Sequence, residues 1–232
     1  MKWFCFVLSV VVAAGACLGG ECVEPNQPTE ANYPIEPNVP NEPNYPNDPN
    51  ELLRMKWDAV IAVLRSKDLD REAKECKIAK IISPVFDFAL MAQLSLGRKH
   101  WPKLAPLQRE PFTRLFEQRL KASYLEKVGS YTDEEVLFKP AVRKKKALYI
   151  PVELVSEETT VDMLYKLRKV DQRCKVKVNG HWKVRVEKRW KIYDVEIQGV
   201  SILLTYRSQF DDILSTGTVD DLLSRLEQSP SS

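Results

Sequence analysis

Glycine is scarce in this 232-residue chain, with eight in all, and histidine is scarcer still, with only His100 and His181. The first shortage leaves no glycine-rich phosphate loop and no Gly-x-Ser-x-Gly nucleophile turn. The second leaves no His-Glu-x-x-His zinc helix. Of the five cysteines, Cys5, Cys17, Cys22, Cys76 and Cys174, no two have Cys-x-x-Cys spacing, so a thiolate metal site is not expected. Past residue 16 no run is both long and apolar enough for a membrane span, which takes about 20 residues. An enzyme needs convergent reactive groups, and few are on offer. His100 precedes Trp101 in a stretch read as a loop, and His181 follows a turn, so both are expected to be solvated. Asp87, Asp162 and Asp194 lie among apolar residues and are the carboxylates best placed for burial. Each is either a base with a raised pKa or, more simply, a helix cap or an arginine partner.

What is present begins with a targeting segment. Lys2 is followed by an apolar run from Trp3 to Ala16, and small residues Ala14-Gly15-Ala16 precede Cys17. Ala-x-Ala is the shape a signal peptidase prefers. Small residues ending in Cys also have the form of a lipobox, with Ala14 where that motif usually has Leu, so Cys17 is a candidate lipidation site. Residues 1–17 are therefore read as a signal peptide. Residues 18–50 read as an acidic linker, with Pro at every third or so position from Pro25 to Pro49 and Glu-Pro-Asn repeated. Proline favours extended polyproline II geometry, and little apolar surface is available to bury. Such a spacer reaches on the order of 80 Å. The formal charge of +3 conceals an asymmetry: the first 50 residues hold six acids and one base, leaving 34 bases and 26 acids in 51–232. A basic body suits an anionic surface or nucleic acid, or is simply solvated.

Residues 51–232 form the folded body. Asn50 is read as the first N-cap, with helices over 51–66 and 70–82. Ser83-Pro84 opens another helix that Gly97 stops. Pro106 starts a longer one to about Val128, with Phe112, Phe116, Leu120 and Tyr124 on one face and Pro111 expected to kink it or delay its start. The period then changes to two. Leu148, Ile150, Val152 and Leu154 alternate with other residues, as do Val161, Met163, Tyr165 and Leu167, then Val176 and Val178, then Trp182, Val184 and Val186; Trp190–Ile197 is a further run. Asn179-Gly180 marks a hairpin turn. Helical spacing returns from Ser201 to Leu214, and Thr218 with Asp221 has capping-box form for a last helix over 219–227. Helices, then a meander of strands, then helices make an α+β fold.

Arg143-Lys144-Lys145-Lys146 is read as the start of the first strand. Lys175, Lys177, Lys183, Arg185, Lys188, Arg189 and Lys191 alternate with apolar residues later, which on a strand places bases on one exposed face. The aromatic residues fall mostly on the apolar face, so nucleic acid, which needs exposed rings for stacking, is not an expected partner. Cys76 and Cys174 are either a disulfide in an oxidising compartment or two buried thiols.

Two segments resemble a known family. The first is Phe86-Asp87-Phe88-Ala89-Leu90-Met91-Ala92, then Leu96-Gly97, Trp101, Leu104, Gln108, Phe112 and Leu115-Phe116. The second is Trp190-Lys191-Ile192-Tyr193-Asp194-Val195-Glu196-Ile197-Gln198-Gly199-Val200-Ser201, continuing to Tyr206-Arg207-Ser208-Gln209-Phe210. Together they resemble the hallmark blocks of MlaC and the toluene-tolerance proteins, soluble phospholipid carriers of an ABC-type transport system, over roughly 52–228. The resemblance implies N- and C-terminal helices packed on a twisted antiparallel sheet that encloses an apolar pocket, with phospholipid as bound ligand, no cofactor, no metal and no catalytic residue. It implies a periplasmic protein that exchanges lipid with an inner-membrane MCE/ABC complex and with an outer-membrane lipoprotein complex, here with Cys17 as a candidate membrane anchor. Candidate tail contacts are Leu148, Ile150, Val152, Met163, Tyr165, Leu167, Trp190, Ile192, Val195 and Ile197 from strands, and Phe112, Phe116, Leu120, Leu203, Tyr206 and Phe210 from helices. Each would serve equally well as ordinary core. Arg207 is expected to pair with Asp194 or another buried acid, or to lie near a head group. The stretch 171–189 looks like an insertion. Two other readings stay open: a small-pocket α+β hydrolase or isomerase, and an envelope assembly protein with a filled core.

Overall fold

The computed structural model describes residues 46–128, 135–178 and 181–228, with backbone alone for 124–128, 174–178 and 182. The stretch read as a signal peptide, Cys17, most of the stretch read as a linker, and Asn179-Gly180, read as a hairpin turn, lie outside the described residues. Helix α1 spans Pro49–Arg65 and is capped by Asp48, not Asn50: the Asp48 carboxylate accepts from the N–H groups of Asn50 and Glu51 at 2.7 and 3.3 Å. Pro49 explains the earlier start, because proline has no N–H to leave unpaired in a first turn. Helix α2, Arg71–Ile82, is capped by Asp70. A 3₁₀ turn, Ser83–Val85, leads to α3, Phe88–His100, capped by Asp87. Gly97 breaks α3 at φ 63 and ψ −169, the role its position in the sequence suggests. Helix α4, Pro106–Val128, runs through Pro111 without a delayed start. Its N-terminus is held by Gln108, which accepts from the Ala105 N–H at 3.1 Å and donates to Asp220 at 3.2 Å.

Six antiparallel strands follow: β1 Glu135–Phe138, β2 Val142–Lys144, β3 Ala147–Val155, β4 Thr160–Val178, β5 His181–Ile197 and β6 Val200–Ser201. Their order is β1-β3-β4-β5-β6, with β2 also on β3. The separate runs seen by periodicity merge into two long strands, β4 with 19 residues and β5 with 17. The Arg143–Lys146 run does not begin the first strand. It holds the end of β2 and the turn into β3, where Lys145 takes φ 59. Leu148, Ile150 and Val152 stand opposite Leu167, Tyr165 and Met163, which in turn face Ile192, Val195 and Ile197. Ile192 and Val195 are an odd number of residues apart and share a face because of a bulge. Lys166 pairs with Asp194 while Leu167 pairs with Ile192, leaving Tyr193 as the extra residue.

Helix α5, Ile202–Thr216, starts from Ser201, whose hydroxyl accepts from the Leu204 N–H. Helix α6, Val219–Glu227, has both arms of the Thr218/Asp221 capping box. The result is the α+β arrangement expected: an open sheet with helices before and after it.

Candidate functional site

The candidate tail contacts fall into two apolar clusters. The sheet cluster gathers Leu148, Ile150, Val152, Met163, Tyr165, Leu167, Trp190, Ile192 and Val195, with Ile197 partly buried beside them. Leu52 and Leu53 of α1, and Val85 and Phe86, belong to the same cluster. The helical cluster gathers Phe112, Phe116, Leu120, Leu203 and Phe210, with Tyr206 partly buried. Phe86 and Ile202 pack against both clusters. The two groups thus meet at a seam and do not form one set.

The clusters differ in chemistry. The helical side is a nest of rings: Phe116 meets Tyr206 edge-on with centroids 5.2 Å apart, Phe112 meets Phe210 at 5.6 Å, and Trp101 meets Phe112 at 6.4 Å. Such edge-to-face packing defines one geometry and reads as core. The sheet side is mainly aliphatic, a surface of branched side chains that matches methylene chains. Leu52, Leu53 and Phe86 are the site residues that sequence reasoning missed. Their apolar spacing was visible, but nothing local said that α1 would lie over the sheet.

The polar groups near the seam are tied to the fold. Asp194 is 4% exposed and accepts from Lys166 Nζ at 2.8 Å, from Ser201 Oγ at 2.8 Å and from the Leu203 N–H at 3.3 Å. It anchors the start of α5 to β5. Lys166 also pairs with Glu196. Burial alone would lower the Lys166 pKa, but hydrogen bonds to Asp194 and Glu196 outweigh it and hold the ammonium above its ordinary range. Asp87 caps α3 and pairs with Arg168 at 2.7 Å. Asp162 is exposed, contrary to expectation, because it sits on the outer face of β4, between the buried Val161 and Met163 and just after the β3–β4 turn.

Arg207 does not pair with Asp194. Its Nε and Nη2 donate to the Leu94 carbonyl at 3.1 and 2.6 Å. The break at Gly97 leaves carbonyls of the preceding turn short of N–H partners, and Arg207 fills that need. His100 is not solvated: it is 6% exposed and its Nε2 lies 2.6 Å from Asp211 Oδ1, which Lys99 also reaches at 2.5 Å. These hydrogen bonds, His100 first and Lys99 second, lower the Asp211 pKa. His181 is exposed. A surface cleft of about 730 Å³ opens here, between α3 and α5, lined by Leu94, Gly97, Trp101, Arg207 and Asp211 among others. No candidate tail contact lines it. Among the described residues no group of three His, Cys, Asp or Glu side chains could hold a metal ion, and no helix is long and apolar enough to cross a membrane. Cys76 is disulfide-bonded; the side chain of Cys174 lies outside those described.

Comparison with known proteins bears on this geometry. The family model described as "MlaC protein" matches residues 55–228. The solved structure of a phospholipid-binding protein from Ralstonia solanacearum, in complex with a phospholipid, superposes with a TM-score of 0.61 at 22% identity, covering 78% of this chain and 95% of that one. No curated protein matches the chain significantly.

Proposed function

The chain belongs to the MlaC family, and from that premise we propose that it is an exported carrier that binds phospholipid and shuttles it between membranes. The observation that carries the reading is the continuous aliphatic face of β3, β4 and β5, inside the matched region and roofed by Leu52 and Leu53. A likeness of fold to a protein solved with phospholipid bound supports it. The acyl chains lie on the sheet side of the seam, against Ile150, Val152, Met163 and Leu167, while the ring cluster of α4 and α5 serves as core.

No bond is made or broken in this function. The protein offers apolar surface, and each buried methylene contributes about 0.8 kcal/mol. Some 14 buried methylenes would therefore contribute about 11 kcal/mol before ordering costs. Unassisted release would then be slow, so transfer depends on partners that open the site. By analogy with the family, the partners in this reading are an inner-membrane MCE/ABC complex and an outer-membrane lipoprotein complex, and the setting is the periplasm. The acidic linker after Cys17 suits a tethered carrier whose lipid-binding body swings towards its partners; palmitate labelling that vanishes in Cys17→Ala would support the tether, and a cleaved, soluble protein that takes up no label would remove it.

The test is native mass spectrometry of the purified protein, followed by organic extraction and lipid analysis. Stoichiometric phospholipid supports the carrier. A protein that arrives empty and takes up no offered phospholipid overturns it.

A further inference from the structure

The two basic runs of the sequence are far apart in the chain, yet the sheet brings them to one end. Ala147, just after the Arg143–Lys146 run, stands opposite Arg168, so the β2–β3 turn flanks the place where β4 leaves β3 behind. From there β4 and β5 continue alone as a two-stranded arm. The pairs from Arg173–Val186 to Val178–His181 extend it by about 20 Å at about 3.4 Å per residue. Residues 172–186 contain Arg173, Lys175, Lys177, Lys183 and Arg185 and no acid. The acids at the base of the arm are engaged: Asp171 with Lys188 and Glu187 with Arg189. Arg143, Lys144, Lys145 and Lys146 are all exposed. The other end of the sheet is acidic, with Glu157 and Glu158 in the β3–β4 turn and Asp162 just after it.

The arm also departs from the expected plan of bases on one face and apolar residues on the other. Lys175 stands opposite Val184, Val176 opposite Lys183 and Arg173 opposite Val186. Each strand alternates out of step with its partner, so bases and apolar residues are interleaved. Lys183, Val184, Arg185 and Val186 are four successive exposed residues, with Val184 at 66% and Val186 at 59%, so both faces of the arm are uncovered there. A two-stranded ribbon is marginally stable alone. Lysines would by themselves keep bare strand edges from pairing, but exposed valines between them do the opposite in water. A surface that is at once anionic and apolar just below satisfies both.

We propose that this end of the sheet, the β2–β3 turn together with the β4–β5 arm, docks the protein on an anionic phospholipid bilayer. The bases meet phosphate groups and the valines enter the head-group boundary. The acidic opposite end is repelled, which fixes the orientation of the body on the membrane. The proposal extends the carrier reading, since a lipid carrier must approach membranes, but its evidence is separate from the apolar face.

The experiment is vesicle co-sedimentation of the full chain, with phosphatidylcholine vesicles against vesicles containing about 30% phosphatidylglycerol, at about 0.1 and 0.5 M salt. Comparison of each variant with its parent, which share the same N-terminal segment, cancels that segment's contribution. Each base near such a surface is worth about fivefold in partition. Lys183→Glu/Arg185→Glu should therefore lose at least about 25-fold of the preference for anionic vesicles, and Arg143→Glu/Lys144→Glu, in a separate element, should weaken it independently. The preference should shrink with salt. Both variants change exposed residues, and unaltered circular dichroism and unaltered extracted lipid confirm an intact body. Equal binding to both vesicle types, or undiminished binding by the arm variant, overturns the proposal. Docking by a protein without cargo would leave this inference standing and remove the carrier reading alone; cargo without docking would do the reverse.

Discussion

Replacing Asp194 with alanine would leave Lys166, whose side chain is 13% exposed, facing Glu196 alone, and would strip Ser201 Oγ and the Leu203 N–H of an acceptor. Breaking a buried pair by removing one partner costs about 3–5 kcal/mol, so the urea midpoint of Asp194→Ala should fall by that equivalent. A loss below 1 kcal/mol would show that the start of α5 is held by other means. The same neighbourhood sets the alkaline limit. Burial, then a hydrogen bond with Tyr149, pushes the Tyr193 phenol from 10.0 up to about 12. A group whose folded pKa is raised contributes stability that is whole below its unfolded value and is lost as pH rises through the folded one. Tyr193 therefore withdraws stability between pH 10 and about 12. Lys166, also raised from 10.5, acts in the same direction. The melting temperature should fall across this window, and Tyr193→Phe should fall less steeply. An equal fall in both proteins would assign the loss elsewhere.

Gly97 decides the shape of α3. At φ 63 and ψ −169 it occupies a region that other residues enter at a cost of about 1–3 kcal/mol, and an added Cβ would meet Arg207 Nε at 3.1 Å. Gly97→Ala should lose about that much stability by thermal melt and disturb the Arg207 contact to Leu94. A neutral result would mean that α3 can run straight. This break was legible in the sequence because glycine at the end of an apolar helical pattern has one common use. The capping box at Thr218 was legible for the same reason. Other elements were not. β1 and β2 have four and three residues, too few for a period of two to emerge. The fusion of the strand runs into β4 and β5 was hidden by the largely polar stretches Arg168–Arg173 and Glu187–Arg189, which interrupt the apolar alternation, and the bulge at Tyr193 shifts that alternation by one residue within the last run. His100 looked solvated because its partner, Asp211, comes from a helix more than 100 residues away. The interleaved faces of the arm depend on cross-strand register, which one strand's pattern does not contain.

At the scale of the whole molecule, periodicity marked the buried apolar residues of the strands and of the long helix α4 but could not divide them between a core and a cargo surface. The division between ring-filled helical cluster and aliphatic sheet cluster makes that choice testable with a pair of substitutions. Phe112 is fully buried among Trp101, Phe116 and Phe210, so Phe112→Ala should cost about 3–5 kcal/mol in denaturant unfolding while leaving the extracted phospholipid per protein unchanged. Met163 lies opposite Val152 and Ile197 and at 9% exposure is among the least enclosed of the sheet cluster. Met163→Trp adds bulk where the proposed tails run. Overpacking costs about 1–3 kcal/mol, so the protein should stay folded while its phospholipid content drops severalfold. The reverse pattern, with lipid lost from Phe112→Ala and retained in Met163→Trp, would move the acyl chains to the helical side of the seam. Retention of lipid by both, with both folded, would place the cargo outside either cluster and make the cleft between α3 and α5 the next site to block.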